Sequence, residues 1–396
     1  MTVLAVIGGR LCDGTGSAPV EDGVLVADDG RIVYAGPARS APKVPPGSTV
    51  VEARGRTLIP GLIDCHVHLC FSAEADFAAV ARAMTASSAR EACAANARRA
   101  LEAGITTVRD LGGAFNAPLD TVEAIREHRI PGPRVLTAAE VLTVPGGHAH
   151  FIGREVDSVD EMRKAVRSLH EAGATAIKLI ATGGVLTPGI GAQQSAFAQD
   201  RLDAAVTEAH ARGLRVAAHA IGAEGIEAAV RAGVDSIEHG CFLTEGAIDG
   251  MVANPTWLVA TLSAPDRISY GGDGVPEYAR QKSAEVQVSH RASFARAVEA
   301  GVRVASGTDA GTPFNAHGRL CYELRLMHES GMPLDRVLPA ATREAANLLG
   351  LGDVGTLERG NVADLVVLDG DPLVDVGAYE RVEVVVQAGS IVADRR

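Results

Sequence analysis

Basic charge is scarce in this chain of 396 residues: 37 lysines and arginines stand against 49 aspartates and glutamates, a formal net charge of -12. A polyanion-binding protein is expected to show a basic stripe. Here the cations are scattered along predicted helices, which argues against a nucleic-acid partner. Aromatic residues are few, at 4%, while 47% of the chain is hydrophobic and glycine and alanine are abundant. That is the profile of a packed α/β enzyme, and it excludes a disordered or fibrous chain. The cysteines, Cys12, Cys65, Cys70, Cys93, Cys241 and Cys321, include no Cys-x-x-Cys pair. They read as reduced thiols of a cytoplasmic protein. No stretch approaches the roughly 18 apolar residues a membrane helix needs, so no membrane partner is expected. The segment 1–10 has no basic residues ahead of its apolar run and reads as a strand, not a signal peptide.

What is present is a repeated pattern. Between residues 100 and 310 a helix closes at a glycine, an apolar β-branched strand follows, and an ionisable residue stands at or within the strand's end. The instances run from Gly104 to Asp110, Gly173 to Lys178, Gly213 to His219, Gly233 to His239 and Gly301 to Asp309. Each glycine falls where a helix C-terminus turns into the left-handed region, and each strand is apolar enough to be buried on both faces. Helices are expected to open at 157–161, at Asp200 and after Pro276. Adding strands that end at His66 and His68, near Val135–Thr137 and at Trp257–Ala260 brings the count to eight. This predicts a (β/α)8 TIM-type barrel over residues 59–352, with its site at the carboxyl ends of the strands. Residues 1–58 and 353–396 instead show short strands with glycine turns, which predicts one small β-sandwich domain built from both termini.

The residues at those strand ends carry chemistry. In Leu58-Ile59-Pro60-Gly61-Leu62-Ile63-Asp64-Cys65-His66-Val67-His68 the two histidines alternate onto one side of a strand, so both imidazoles can reach one metal ion. Cys65 alternates away, and Asp64 is expected to support the histidines by hydrogen bonding. Lys178 interrupts Ala176-Ile177-Lys178-Leu179-Ile180, where an unpaired ammonium would be costly. Either it reaches the rim or a carboxylate, or burial depresses its pKa so that the neutral amine can add carbon dioxide. The resulting carbamate could bridge two divalent cations. His219, His239 and Asp309 complete the set, in phase at three further strand ends.

These motifs, together with Ala218-His219-Ala220, Glu238-His239-Gly240, Gly307-Thr308-Asp309-Ala310 and Gly360-Asn361-Val362-Ala363-Asp364-Leu365, resemble the amidohydrolase superfamily over essentially the whole chain. The likeness is to the binuclear branch with a carboxylated lysine. The segments Gly146-Gly147-His148-Ala149-His150 and Lys178-Leu179-Ile180-Ala181-Thr182-Gly183-Gly184 resemble its imidazolonepropionase-related and prolidase-like group. The resemblance implies that His66, His68 and Asp309 hold one metal, His219 and His239 a second, and carboxylated Lys178 bridges them. The pair would be zinc, with manganese, iron or cobalt as alternatives. A metal-bridging hydroxide would cleave a C–N amide bond in an N-acyl amino acid, a dipeptide or a related small amide. Asp309 would accept its proton and pass it to the leaving nitrogen, and His148 would hydrogen-bond the developing oxyanion.

Substrate contacts are expected from His148 and His150, which form a second His-x-His on a loop, and from His317. The stretch 266–274 reads as a lid loop in which Arg267 grips a substrate carboxylate and Tyr270 stands near. The dipeptide-cleaving members carry a tyrosine at the end of the seventh strand, and Thr261-Leu262-Ser263 has none. His128, His170, His210, His290 and His328 fall in helices and read as neutral to function. The alternatives are cyclic-amide opening or deamination, against which the lysine counts, and a non-enzymatic scaffold, against which the complete ligand set counts. Apolar barrel helices suggest a homo-oligomer.

Overall fold

The computed structural model describes residues 3–270 and 272–396. Three parallel strands, Leu62–Val67, Ile105–Asp110 and Arg134–Thr137, lie side by side. A second parallel run takes Val141–Thr143, Ala176–Ile180, Arg215–Ala220, Ser236–His239 and Trp257–Val259. The two arcs approach each other at both ends. On one side the Thr175 amide donates to the Thr137 carbonyl at 2.8 Å. On the other, the segment 304–310 lies between them, bridging Leu258 through Val304 and Val67 through Ala310. This is the α/β barrel expected from the repeats, with helices between most successive strands.

The eighth strand is the least regular. Where Val304–Thr308 reads as a strand, only isolated bridges form. Gly307 explains part of this: a Cβ there would stand 2.4 Å from Val259 and 3.0 Å from the His66 amide, so the backbone is drawn in too close for an ordinary ladder. All five glycines of the repeat, Gly104, Gly173, Gly213, Gly233 and Gly301, take positive φ at their helix ends. The helices open close to where they were expected, although Asp200 lies in the first turn of Gln199–His210 and does not cap it. Ser158 accepts from the Glu161 amide to open Val159–Glu171, and Pro276 precedes Glu277–Glu299.

The terminal segments share one hydrogen-bonded sheet of eight strands. In it Leu365–Leu368 pairs antiparallel with Thr57–Pro60 and with Val382–Gln387, while Leu4–Leu11 runs beside Val20–Asp28. Strand alternation divides this sheet between two cores. Leu58, Leu365 and Val367 pack with Leu4, Val6 and Leu25 inside the terminal unit. Ile59, Val366 and Leu368 point the other way, into the barrel core. Strand Thr57–Pro60 therefore couples the terminal sheet to Leu62–Val67, which carries the first histidine.

One expectation fails here. The lid loop expected over 266–274 is, over most of its length, part of the helix Ser263–Tyr270; Gly271 lies outside the described residues. The Glu323 carboxylate, from helix Leu320–Glu329, accepts from the amides of Leu262 and Ser263 at 2.9 and 2.7 Å. Those are the donors a helix leaves unpaired at its start, so a residue remote in sequence supplies the cap. Asp266 is then held by Gln287, Arg291 and Tyr322. Among the described residues no helix is long and apolar enough to cross a membrane.

Candidate active site

Six of the residues singled out in the sequence converge on one cleft at the carboxyl ends of the strands: His66, His68, Lys178, His219, His239 and Asp309. Asp309 Oδ1 lies 3.4 Å from His66 Nε2 and 3.3 Å from His68 Nε2. Lys178 Nζ stands 3.5 Å from His66 Nε2. The rings of His219 and His239 have centroids 4.6 Å apart, and His239 is 5.3 Å from His66. All six residues are buried. Two adopt a backbone that ordinary side chains avoid, with φ at 71° for His239 and 58° for Asp309. Such a conformation costs about 1–3 kcal/mol and persists where the surroundings impose it, as at functional sites.

Each histidine has one ring nitrogen engaged outside the cluster. His66 Nδ1 meets Glu238 at 2.7 Å, His68 Nδ1 the Gly112 carbonyl at 2.7 Å, His219 Nε2 the Gly183 carbonyl at 2.8 Å and His239 Nδ1 the Thr261 hydroxyl at 2.7 Å. This leaves His66 Nε2, His68 Nε2, His219 Nδ1 and His239 Nε2 for a ligand. Orientation of one nitrogen by a carboxylate or carbonyl is how metal-binding histidines are held. Burial pushes the pKa values of His66, His219 and His239 well below the usual imidazole range, so their lone pairs are not protonated. At His68 burial acts in the same sense but the Asp309 carboxylate beside it prevails, and the pKa rises. His66, His68 and Asp309 place three ligand atoms within 4.8 Å of one another. Lys178 makes no ion pair among the described residues, and burial lowers its pKa to about 8. The donor set fits divalent cations.

Two supporting residues, Arg109 and Glu238, went unnoticed in the sequence, whereas Asp64 was expected in that role. Glu238 is fully buried and also takes Arg109 Nη2 at 2.9 Å, while Arg109 Nε donates to the Cys65 carbonyl at 2.6 Å. Both are charged residues inside apolar strands, the same signal that singled out Lys178. Asp64 accepts from the Thr308 hydroxyl and amide at 2.7 and 3.0 Å. It thereby ties the His66 strand to the segment that carries Asp309.

The predicted substrate contacts divide. His148 lines the cleft, its ring 4.6 Å from that of His219 and its Nδ1 2.8 Å from Thr187 Oγ1. Its imidazole occupies the space above Gly184, where a Cβ would come within 2.3 Å of Nε2. His150, on the adjoining 3-10 turn, is exposed and lies 3.8 Å from Glu155, away from the cleft wall. His317 is buried behind it, donating from Nε2 to the Phe71 carbonyl at 2.9 Å. Arg267 and Tyr270 leave by the other face of their helix, Arg267 stacking 3.9 Å over the Tyr322 ring and Tyr270 lying exposed. The helix turns Ala264, Pro265 and Ile268 toward the cleft instead. In contrast, His290, set aside in the sequence as a helix residue, lines the cleft, and burial lowers its pKa to about 4.

An α/β barrel with buried histidines, an aspartate and a lysine converging at its strand ends defines a barrel enzyme with a polar reaction centre. The model of the Amidohydrolase family matches residues 57–393, and the chain belongs to that family. The chain is 29% identical over 413 residues to ochratoxinase of Aspergillus niger, with 96% of this chain and 83% of that protein covered. It is 27% identical over 386 residues to imidazolonepropionase of Streptomyces griseus subsp. griseus, covering 91% and 88% of the two. A solved structure of a Xaa-Pro dipeptidase with bound methionine in the active site superposes with a TM-score of 0.92 at 32% identity, covering 99% of this chain and 100% of the other.

Proposed function

We propose that the protein is a metal-dependent hydrolase of a C–N amide bond in a small molecule. His66, His68 and Asp309 would hold one divalent ion, His219 and His239 a second, and Lys178, carboxylated on Nζ, would join them. The observation that carries this reading is the set of four ring nitrogens left open around Asp309 and Lys178. Zinc suits such imidazole and carboxylate donors. When bound, divalent ions lower the pKa of water and polarise a carbonyl.

The chain's own groups supply the rest. Asp309 Oδ1, which lies between His66 and His68, would accept the proton of the attacking water and deliver it to the leaving nitrogen. His148 supports the developing oxyanion from Nε2. Thr187 Oγ1 already accepts from the Ala149 amide at 3.2 Å, so its own proton can go to His148 Nδ1. Burial keeps the ring neutral, lowering its pKa to about 3, and this arrangement leaves the remaining proton on Nε2. The names of the relatives, ochratoxinase and a Xaa-Pro dipeptidase, support amide cleavage. Lys178 weighs against the imidazolonepropionase-like alternative, whose mononuclear members lack that residue.

The test combines metal analysis with product identification by mass spectrometry. Asp309→Asn is expected to keep much of the bound metal and lose turnover by about 100-fold or more. Lys178→Ala is expected to lose metal and activity together. Full turnover by Lys178→Ala without added carboxylate would remove the bridging role, and failure of the metal-replete wild type to release acid and amine from any amide would remove the reading itself.

A further inference from the structure

Apart from Lys178, the cations nearest the cleft are committed elsewhere. Arg267 stacks on Tyr322, and Arg291 donates to Asp266 at 2.9 Å. Lys282 Nζ donates to the carbonyls of Thr187 and Ile190 at 2.8 and 2.6 Å. Among the described residues lining the cleft there is no arginine. Away from the histidine cluster the wall is built from Phe77, Phe151, Leu186, Ile221, Ile268 and Val286. Phe77 packs between Phe71 and Phe151, with ring centroids 4.0 and 6.0 Å away, so this wall is anchored by an aromatic row.

An ionised carboxylate set against phenyl and aliphatic groups loses its hydration and meets no cationic side chain on that wall. An aryl or alkyl group in the same place gains from leaving water. We infer that the cleft takes amides whose amine portion is uncharged and apolar, an arylamine or alkylamine, and discriminates against N-acyl amino acids and dipeptides. The inference rests on the amide-hydrolase reading and narrows its substrate class. In the reaction, water adds to the acyl carbon, the C–N bond breaks, and its electron pair takes a proton. The products are a carboxylic acid and a free, apolar amine.

Matched substrates test it: N-acetylphenethylamine against N-acetyl-L-phenylalanine, which differ only by the carboxylate. With the metal-loaded protein, kcat/KM is expected to favour the uncharged member by roughly 100-fold. Calorimetric binding of 2-phenylethanol against L-3-phenyllactate, which carry no amine and differ only by the carboxylate, gives a second readout and is expected to favour 2-phenylethanol. Equal or better use of N-acetyl-L-phenylalanine, together with loss of that activity in Lys282→Met, would overturn the inference and identify Lys282 as the missing counter-ion. Equal use unaffected by Lys282→Met would overturn it as well. If no amide is cleaved, the amide-hydrolase reading fails, and the binding preference still decides whether the cleft excludes carboxylates.

Discussion

At the scale of single residues, the most demanding feature is a charged chain buried behind the cluster. Arg109 holds Glu238, Glu238 holds His66 Nδ1, and Arg109 also reaches the backbone of Cys65. Arg109 and Glu238 are fully buried, so removing one strands the other. Arg109→Met is expected to destabilise the protein by about 3–5 kcal/mol in urea unfolding, because the Glu238 carboxylate is left without its cation. It is also expected to weaken divalent-metal affinity by roughly 10- to 100-fold, since His66 loses its orienting chain. A variant with unchanged stability and metal affinity would show that the chain has no supporting role. The pair was open to detection in the sequence, because Val108-Arg109-Asp110 and Ile237-Glu238-His239 each place a charge inside a buried strand. What the sequence lacked was the partner: Arg109 and Glu238 are far apart along the chain and meet only when the strands assemble.

At the scale of elements, the barrel strands and their glycine-ended helices follow from local rules, and the helix Ser263–Tyr270 does not. Its start is stabilised by Glu323, and that carboxyl is buried enough for its pKa to rise to about 7, although the two amide bonds work against the shift. A folded-state pKa raised above that of the unfolded chain means that the native state holds the proton more tightly. The stability so gained is present below about pH 4.5 and is lost as pH rises through about 7. Unfolding free energy measured from pH 4.5 to 8 should therefore fall more steeply in the wild type than in Glu323→Gln, by an amount on the order of 3 kcal/mol over that range. Parallel curves would show that Glu323 does not titrate there. This contact also determines where Arg267 points. With the segment helical, Ile268 faces the cleft and Arg267 faces Tyr322, which no local pattern in 263–270 reveals.

At the scale of the molecule, the terminal sheet and the barrel share strands with one face in each core. Leu58 belongs to one and its neighbour Ile59 to the other, and both are fully buried. Leu58→Ala and Ile59→Ala are each expected to cost about 2–5 kcal/mol and to shift the same cooperative transition. Separate melting of the terminal sheet, with the barrel intact, would show that the two units are not energetically joined. The coupling bears on the site because Thr57–Pro60 leads directly into the strand that carries His66.

The sequence by itself determined the barrel, the terminal β-unit and the identity of the residues that meet at the strand ends. Those follow from period-two alternation, from glycines where helices reverse and from charges too costly to bury without purpose, all of which are local properties. The tertiary structure decided which ring nitrogens stay open, which buried charges pair, and which side of a remotely capped helix faces the substrate. Those outcomes depend on hydrogen-bond partners and packing surfaces drawn from distant parts of the chain, and they come together only when the barrel forms.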